Sequence, residues 1–163
     1  MNKSLLKQIQ SLPSSQQQEF IGLIDGYEKS INRDKCKDSF RHFVGEMWAA
    51  FIHGKHHEIM AEAFERVAKG ELKRLIINMP PRHTKSEFAS YLLPAWFLGK
   101  YHDKKMIQTA HTAELAVGFG RKVRNLVHSK DFKEIFPDVS LQSDSKAAGR
   151  WNTNKGGEYF AIG

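Results

Sequence analysis

RLIINMPPRHTKSE, residues Arg74 to Glu87, is the stretch on which the fold turns. Leu75, Ile76 and Ile77 form a continuous aliphatic run, the pattern of a strand buried on both faces. Asn78 and Met79 close it. Pro80 and Pro81 have no N–H to give a ladder, so no central strand extends through them. The chain turns through Arg82, His83 and Thr84, then Lys85, Ser86 and Glu87 open a helical pattern. Strand, tight loop, Lys-Ser and helix is the arrangement that holds a nucleoside triphosphate. Loop N–H groups and the positive end of the helix face the phosphates. The Lys ammonium reaches the outer phosphates, and the Ser hydroxyl joins a Mg²⁺ shell.

The usual spacing, G-x-x-x-x-G-K-[ST], places glycine where this chain has Met79 and Thr84. On the bare pattern an ordinary strand-to-helix turn competes with a phosphate loop. Glycine accepts positive φ, and a β-branched residue does so poorly. Thr84 therefore predicts a loop wider than an ordinary phosphate loop.

Downstream, Phe88, Leu92, Leu93, Trp96 and Phe97 mark a helix that Gly99 closes. Pro94 inside it removes the bond to the Ser90 carbonyl and predicts a kink. Residues Lys104 to Ala110 read as a second buried strand. Strand, helix, strand predicts a crossover with the two strands parallel. Thr112 caps the next helix, whose apolar stripe is Leu115, Ala116, Phe119, Val123, Leu126 and Val127. Arg121, Lys122, Arg124 and Lys130 give it a basic side. That side contacts DNA phosphates or a neighbouring subunit's nucleotide on one reading, and is a solvated face on the other. Leu141 sits on a brief strand. Trp151, Tyr159, Phe160 and Ile162 give a β-rich ending, turned by Lys155-Gly156-Gly157.

Upstream, Ile59, Met60, Ala63, Phe64 and Val67 line a helix that ends at Gly70, a C′ residue. His56 and His57 are adjacent at its start, so they share no helix face as paired metal ligands do. Ser39 opens another helix, with Phe40, Phe43, Val44, Met47 and Trp48 on its apolar face and a break at Gly54. Leu5, Leu6, Ile9 and Leu12 fall at helical spacing before Pro13. Ser15 and Gln18 resemble a capping box, and Phe20, Ile21, Leu23 and Ile24 predict a helix ending near Gly26 or a little beyond. Residues 31–38 read as a charged linker. The expected division is a helical extension and linker over 1–38 and an α/β domain over 39–163.

The 163 residues suffice for one domain with a real core. At 40% hydrophobic and 11% aromatic the composition is globular. A formal charge of +7 favours polyanionic partners such as nucleic acid or nucleotide, with a solvated basic surface as the other reading. Cys36 is the single cysteine, so no intrachain disulfide forms, and it reads as a plain surface or partly buried thiol. No apolar run reaches the length of a membrane span or a signal peptide. Asp138, Asp144 and Glu158 stand isolated, and none closes an apolar strand.

MPPRHTKSE resembles the deviant Walker A loop of tailed-phage terminase large subunits, the ATP-driven motors that package DNA into capsids. The flanking blocks GELKRLIINMPPRHTKSEFASYLLPAWFLG, TAHTAELAVGFGRKVRN and AAGRWNTNKGGEYFAIG resemble theirs in length and order, over roughly residues 40 to 163. The resemblance implies a P-loop NTPase sheet of the RecA/ASCE kind, with helices on both faces. It implies that Lys85 binds the β- and γ-phosphates of ATP, that Arg82 also meets phosphate, and that Ser86 holds Mg²⁺. The backbone of Pro81, Arg82, His83 and Thr84 lines the nucleotide, with Glu87 starting the helix. It also suggests that His56 or His57 contacts the base; the alternative is a surface histidine at a helix start.

In the family, the segment resembling GGEYFAIG leads to a strand ending in two acidic residues that organise Mg²⁺, and later to a nuclease domain. The quoted sequence ends before both. The expectation is the first half of a motor ATPase domain that binds ATP and needs the acidic strand to hydrolyse it. Implied partners are double-stranded DNA, the portal protein, the terminase small subunit and other copies in a ring, in the host cell cytoplasm and on the procapsid portal. Two other readings stand: a non-catalytic DNA- or protein-docking module, and a fragment of another P-loop motor such as a helicase.

Overall fold

The computed structural model describes residues 13–144 and 147–163. The expected helix of residues 1–14 lies almost wholly outside them. The chain divides into two units, residues 1–34 and 35–163. The described residues of the first are most of a long helix, α1 (Ser14–Asp38). Gly26 does not end this helix, and residues 31–38 are its last turns, not a linker. The reason is local: INRDKCKD has no proline and no glycine, and its Lys and Arg are good helix formers.

The second unit holds the core. Helices α2 (Phe40–Met47) and α3 (Lys55–Ala68) follow. Ser39 is the N-cap of α2, but the cap bond comes from elsewhere. The Phe40 N–H donates to Glu65 Oε1 at 2.7 Å, and the Ser39 hydroxyl donates to the same oxygen at 3.1 Å. A carboxylate of α3 thus satisfies an orphan donor of α2 and adds favourable charge at its positive end. The chain reverses after α3 at Gly70, with φ +79°.

Leu75 to Ile77 do not form the expected buried strand; no ladder partner is found among the described residues, and Ile76 is 86% exposed. Ile77 and Met79 pack against the core while Ile76 and Asn78 face outward, so the period-2 alternation survives without the ladder. An apolar run supplies side chains suited to a strand, but a strand also needs a neighbour to accept its N–H groups. Beyond the loop, helix resumes at residue 85, passes through a π-turn (Glu87–Leu92) and continues as α4 (Leu93–Lys100). The Leu93 N–H donates to the Phe88 carbonyl, five residues back. This widened turn takes up Pro94, which cannot donate to Ser90 and whose ring would crowd that carbonyl in a regular α-turn.

Strand β1 (Lys105–Thr109), helices α5 (Ala113–His128) and α6 (Lys130–Ile135), and strands β2 (Arg150–Asn152) and β3 (Glu158–Ile162) complete the unit. The sheet is mixed, in the order β1-β3-β2, with β1 parallel and β2 antiparallel to β3. The parallel pairing of the segment near Lys105 is therefore with β3 and not with Leu75–Ile77. Nor is β1 buried on both faces: Ile107 is exposed, as are its partner Phe160 and, further along, Ile162. The other side of β3 carries buried Tyr159 and Ala161 toward α5. Tyr159 stacks on Trp151 at 4.9 Å, and Trp151 Nε1–H donates to the Gly120 carbonyl. Gly120 lets α5 approach the Ala148 carbonyl so closely that a Cβ there would collide with it. Leu141 forms a single bridge with Thr153, and the β2–β3 turn contains Gly156 at φ +88°.

Cys36 is fully buried in the core, contrary to the surface or half-buried expectation. Its carbonyl accepts from Trp96 Nε1 at 3.0 Å. Burial first, then the Glu46 carboxylate, pushes the thiol up to about 11. The thiolate is thus suppressed rather than activated. No described helix is long and apolar enough to cross a membrane.

Candidate functional site

Met79 to Glu87 wrap around a cavity of about 570 Å³. The structure brings Pro81, Arg82, His83, Thr84, Lys85, Ser86 and Glu87 to its wall, and His56 and His57 do not line it. Lys85 and Thr84 are half-buried, while Arg82, His83 and Ser86 are exposed. Two non-glycine residues of the loop have positive φ, Arg82 at 64° and Thr84 at 60°. Thr84 has the conformation a glycine would take at this position. Each such residue costs about 1–3 kcal/mol and persists only where its surroundings hold it.

The holder of Thr84 is His57, on the first turn of α3. Its Nε2 lies 2.7 Å from Thr84 Oγ1, and its Nδ1 accepts from the Gly54 N–H at 2.9 Å. Thr84 Oγ1 in turn donates to the His83 carbonyl at 2.6 Å. One proton arrangement satisfies all three bonds: His57 neutral, with its proton on Nε2. His83 Nδ1 donates to the Pro81 carbonyl at 2.9 Å, closing a small ring of bonds inside the loop.

His57 is not a surface histidine, the alternative to a base contact; it is 5% exposed. It stacks on Phe88 at 5.0 Å and meets Phe51 edge-on at 4.6 Å. Phe88 continues into Phe40, and Phe40 into Phe64 and Trp96, so a run of rings joins the loop to the core. Burial, then neighbouring His56 and His53, hold His57 below its ordinary value, in agreement with the neutral tautomer. Sequence reasoning missed its role because Ile59, Ala63 and Val67 drew the helix face one residue out of phase. Ile59 is exposed; His57, Met60, Ala61 and Phe64 are the buried stripe. Their i, i+3, i+4, i+7 spacing was the available signal.

No backbone acceptor is found, among the described residues, for the N–H groups of Arg82 to Ser86. The first helical bond here runs from the Phe88 N–H to the Thr84 carbonyl. The loop therefore presents several donors beside a helix start and the Lys85 ammonium, a combination that suits an anion. Ser86 supplies a hydroxyl on the same wall, suited to a Mg²⁺ shell. Lys85 and Ser86 also border a second groove of about 430 Å³, lined by Phe64, Leu75, Ile77 and Leu93 among others.

Lys122, on the basic side of α5, reaches Glu87 at 3.6 Å. It also lies over the rings of Phe119 and Tyr91. Glu87 is thus ion-paired next to the loop. Lys130 belongs to α6 and pairs with Glu134 on its own helix. Arg150 holds the Glu158 carboxyl below the ordinary range, with Lys105 adding to the effect, and the ion pairs bring no second carboxylate to it. Comparison of the chain with family models, curated proteins and solved structures finds no match.

Proposed function

We propose that this chain binds ATP with Mg²⁺ through the Met79–Glu87 loop and serves as an ATPase part of a viral DNA-packaging motor. The observation that carries the nucleotide reading is Thr84 at φ +60° directly before Lys85-Ser86 and the helix start. A strained residue held by a buried side chain, beside unpaired N–H donors, has no evident use in an ordinary turn. Lys85 would neutralise the outer phosphates, Arg82 would add a second cation from the exposed side, and Ser86 would contribute an oxygen to Mg²⁺. The neighbouring apolar groove gives room for the rest of a nucleotide. The motor reading rests on the resemblance of the sequence blocks, together with the +7 charge that suits a DNA partner. The ring assembly and the portal and small-subunit partners rest on the same resemblance.

The test is a titration with a non-hydrolysable ATP analogue and Mg²⁺, beside Lys85→Ala. Micromolar binding, weakened about a hundredfold or more in the variant, is expected from the loss of charge-assisted bonds. Equal binding by both proteins, or none by the folded wild type, would sink the nucleotide reading. Steeply salt-dependent DNA affinity without nucleotide binding would favour a docking module instead.

A further inference from the structure

Glycine at position 84 would take φ near +60° at no steric cost, whereas threonine does not. Left to itself, Thr84 would relax to negative φ and turn the adjoining N–H groups away. Its side chain is held at both ends: the hydroxyl proton goes to the His83 carbonyl, and the oxygen accepts from His57 Nε2–H at 2.7 Å. His57 lies 27 residues upstream and is itself fixed by the Gly54 N–H and by the rings of Phe51 and Phe88. Capping α3 accounts for Nδ1 alone; nothing in that role directs Nε2 at the loop.

We propose that His57 is a positioning residue for the phosphate loop, its Nε2–H locking Thr84 in the left-handed conformation that aims the loop N–H groups at a polyphosphate. This rests on the nucleotide reading above. The donor needed for a β-branched residue at a glycine position is supplied from another helix, so loop shape depends on α3. Phe88 couples the two, because it packs against His57 and follows the Lys-Ser pair by two residues.

Four proteins test it by calorimetric titration with inorganic triphosphate: wild type, His57→Asn, Thr84→Gly and the double variant. Asparagine offers an acceptor near the position of Nδ1 but is too short to reach Thr84. His57→Asn is expected to bind about tenfold more weakly or worse. Whatever Thr84→Gly by itself does to binding, His57→Asn should cost almost nothing in that background, since glycine needs no lock. Binding by His57→Asn equal to wild type would overturn the proposal, and so would a full loss retained in the Thr84→Gly background. Wild type that fails to bind would instead overturn the nucleotide reading and this inference with it. Thermal melting checks that each variant folds. If His57→Asn does not fold, His57→Gln, which restores an N–H near the position of Nε2, takes its place. Binding within about threefold of wild type supports the lock, and a tenfold loss in folded His57→Gln overturns it.

Discussion

Two turns of this molecule solve the same backbone problem in opposite ways. The β2–β3 turn reaches φ +88° with Gly156, and a Cβ there would meet nothing within 4 Å. The loop after Pro81 reaches φ +64° and +60° with Arg82 and Thr84. In the hairpin the unusual conformation is a property of the residue. At Thr84 it is tied to the surroundings, through the His57 bond and the aromatic rings behind it. A glycine turn is cheap and pliant. A side-chain-held turn costs strain but has one shape, the condition under which backbone donors meet a ligand without further ordering.

The largest expected effect that sharpens this contrast is at Phe88. Phe88→Ala removes the ring under His57 and opens the core, and should destabilise the protein by about 3–5 kcal/mol in chemical denaturation. A loss below 1 kcal/mol would mean that the loop does not lean on the core. Next is Gly156→Thr, which puts a β-branched residue at positive φ with no partner. It should cost about 1–2 kcal/mol by the same measurement. Thr84→Gly should change stability by less than about 1 kcal/mol, because relieved strain and two lost hydrogen bonds offset. Equal costs at positions 84 and 156 would erase the distinction between the turns.

A pH dependence is expected as well. Because His57 is held below the ordinary value of 6.5, the unfolded chain takes up a proton that the folded chain refuses. Stability should be level above pH 6.5 and decline as pH falls below it toward the depressed folded value, a slope lessened in His57→Gln. Cys36 gives the mirror image. Its thiol rises from 9.0 to about 11, so stability should be full below pH 9 and fall between 9 and 11, a limb absent in Cys36→Ala. Melting temperature across pH measures both.

The helical parts of this architecture were legible where the apolar period was clean. Phe40, Phe43 and Val44 announced α2; Ala116, Val123, Leu126 and Val127 announced α5, with Thr112 as its cap. The hairpin announced itself through Lys155-Gly156-Gly157. Leu75–Ile77 failed as a strand because pairing is a property of two segments, and one segment's side chains do not reveal whether a partner is present. Residues 31–38 failed as a linker because charge marks exposure, and an exposed helix is as charged as a loop. The site residues were gathered by one contiguous motif, so chain connectivity alone placed Pro81 to Glu87 together. His57 was not readable in the same way, since its contact to Thr84 spans 27 residues and a fold.

The bonds from Gly54 to His83 also have a direction. A neutral imidazole in water trades its proton between two nitrogens, and a hydroxyl rotor swings freely. Here the chain of bonds begins at a backbone N–H, which can only give, and ends at a backbone carbonyl, which can only receive. Neither end can change its role, so every proton between them is assigned when the protein folds. The loop thereby spends its tautomeric and rotational freedom before any ligand arrives. An incoming anion would meet a surface whose polarity is already written.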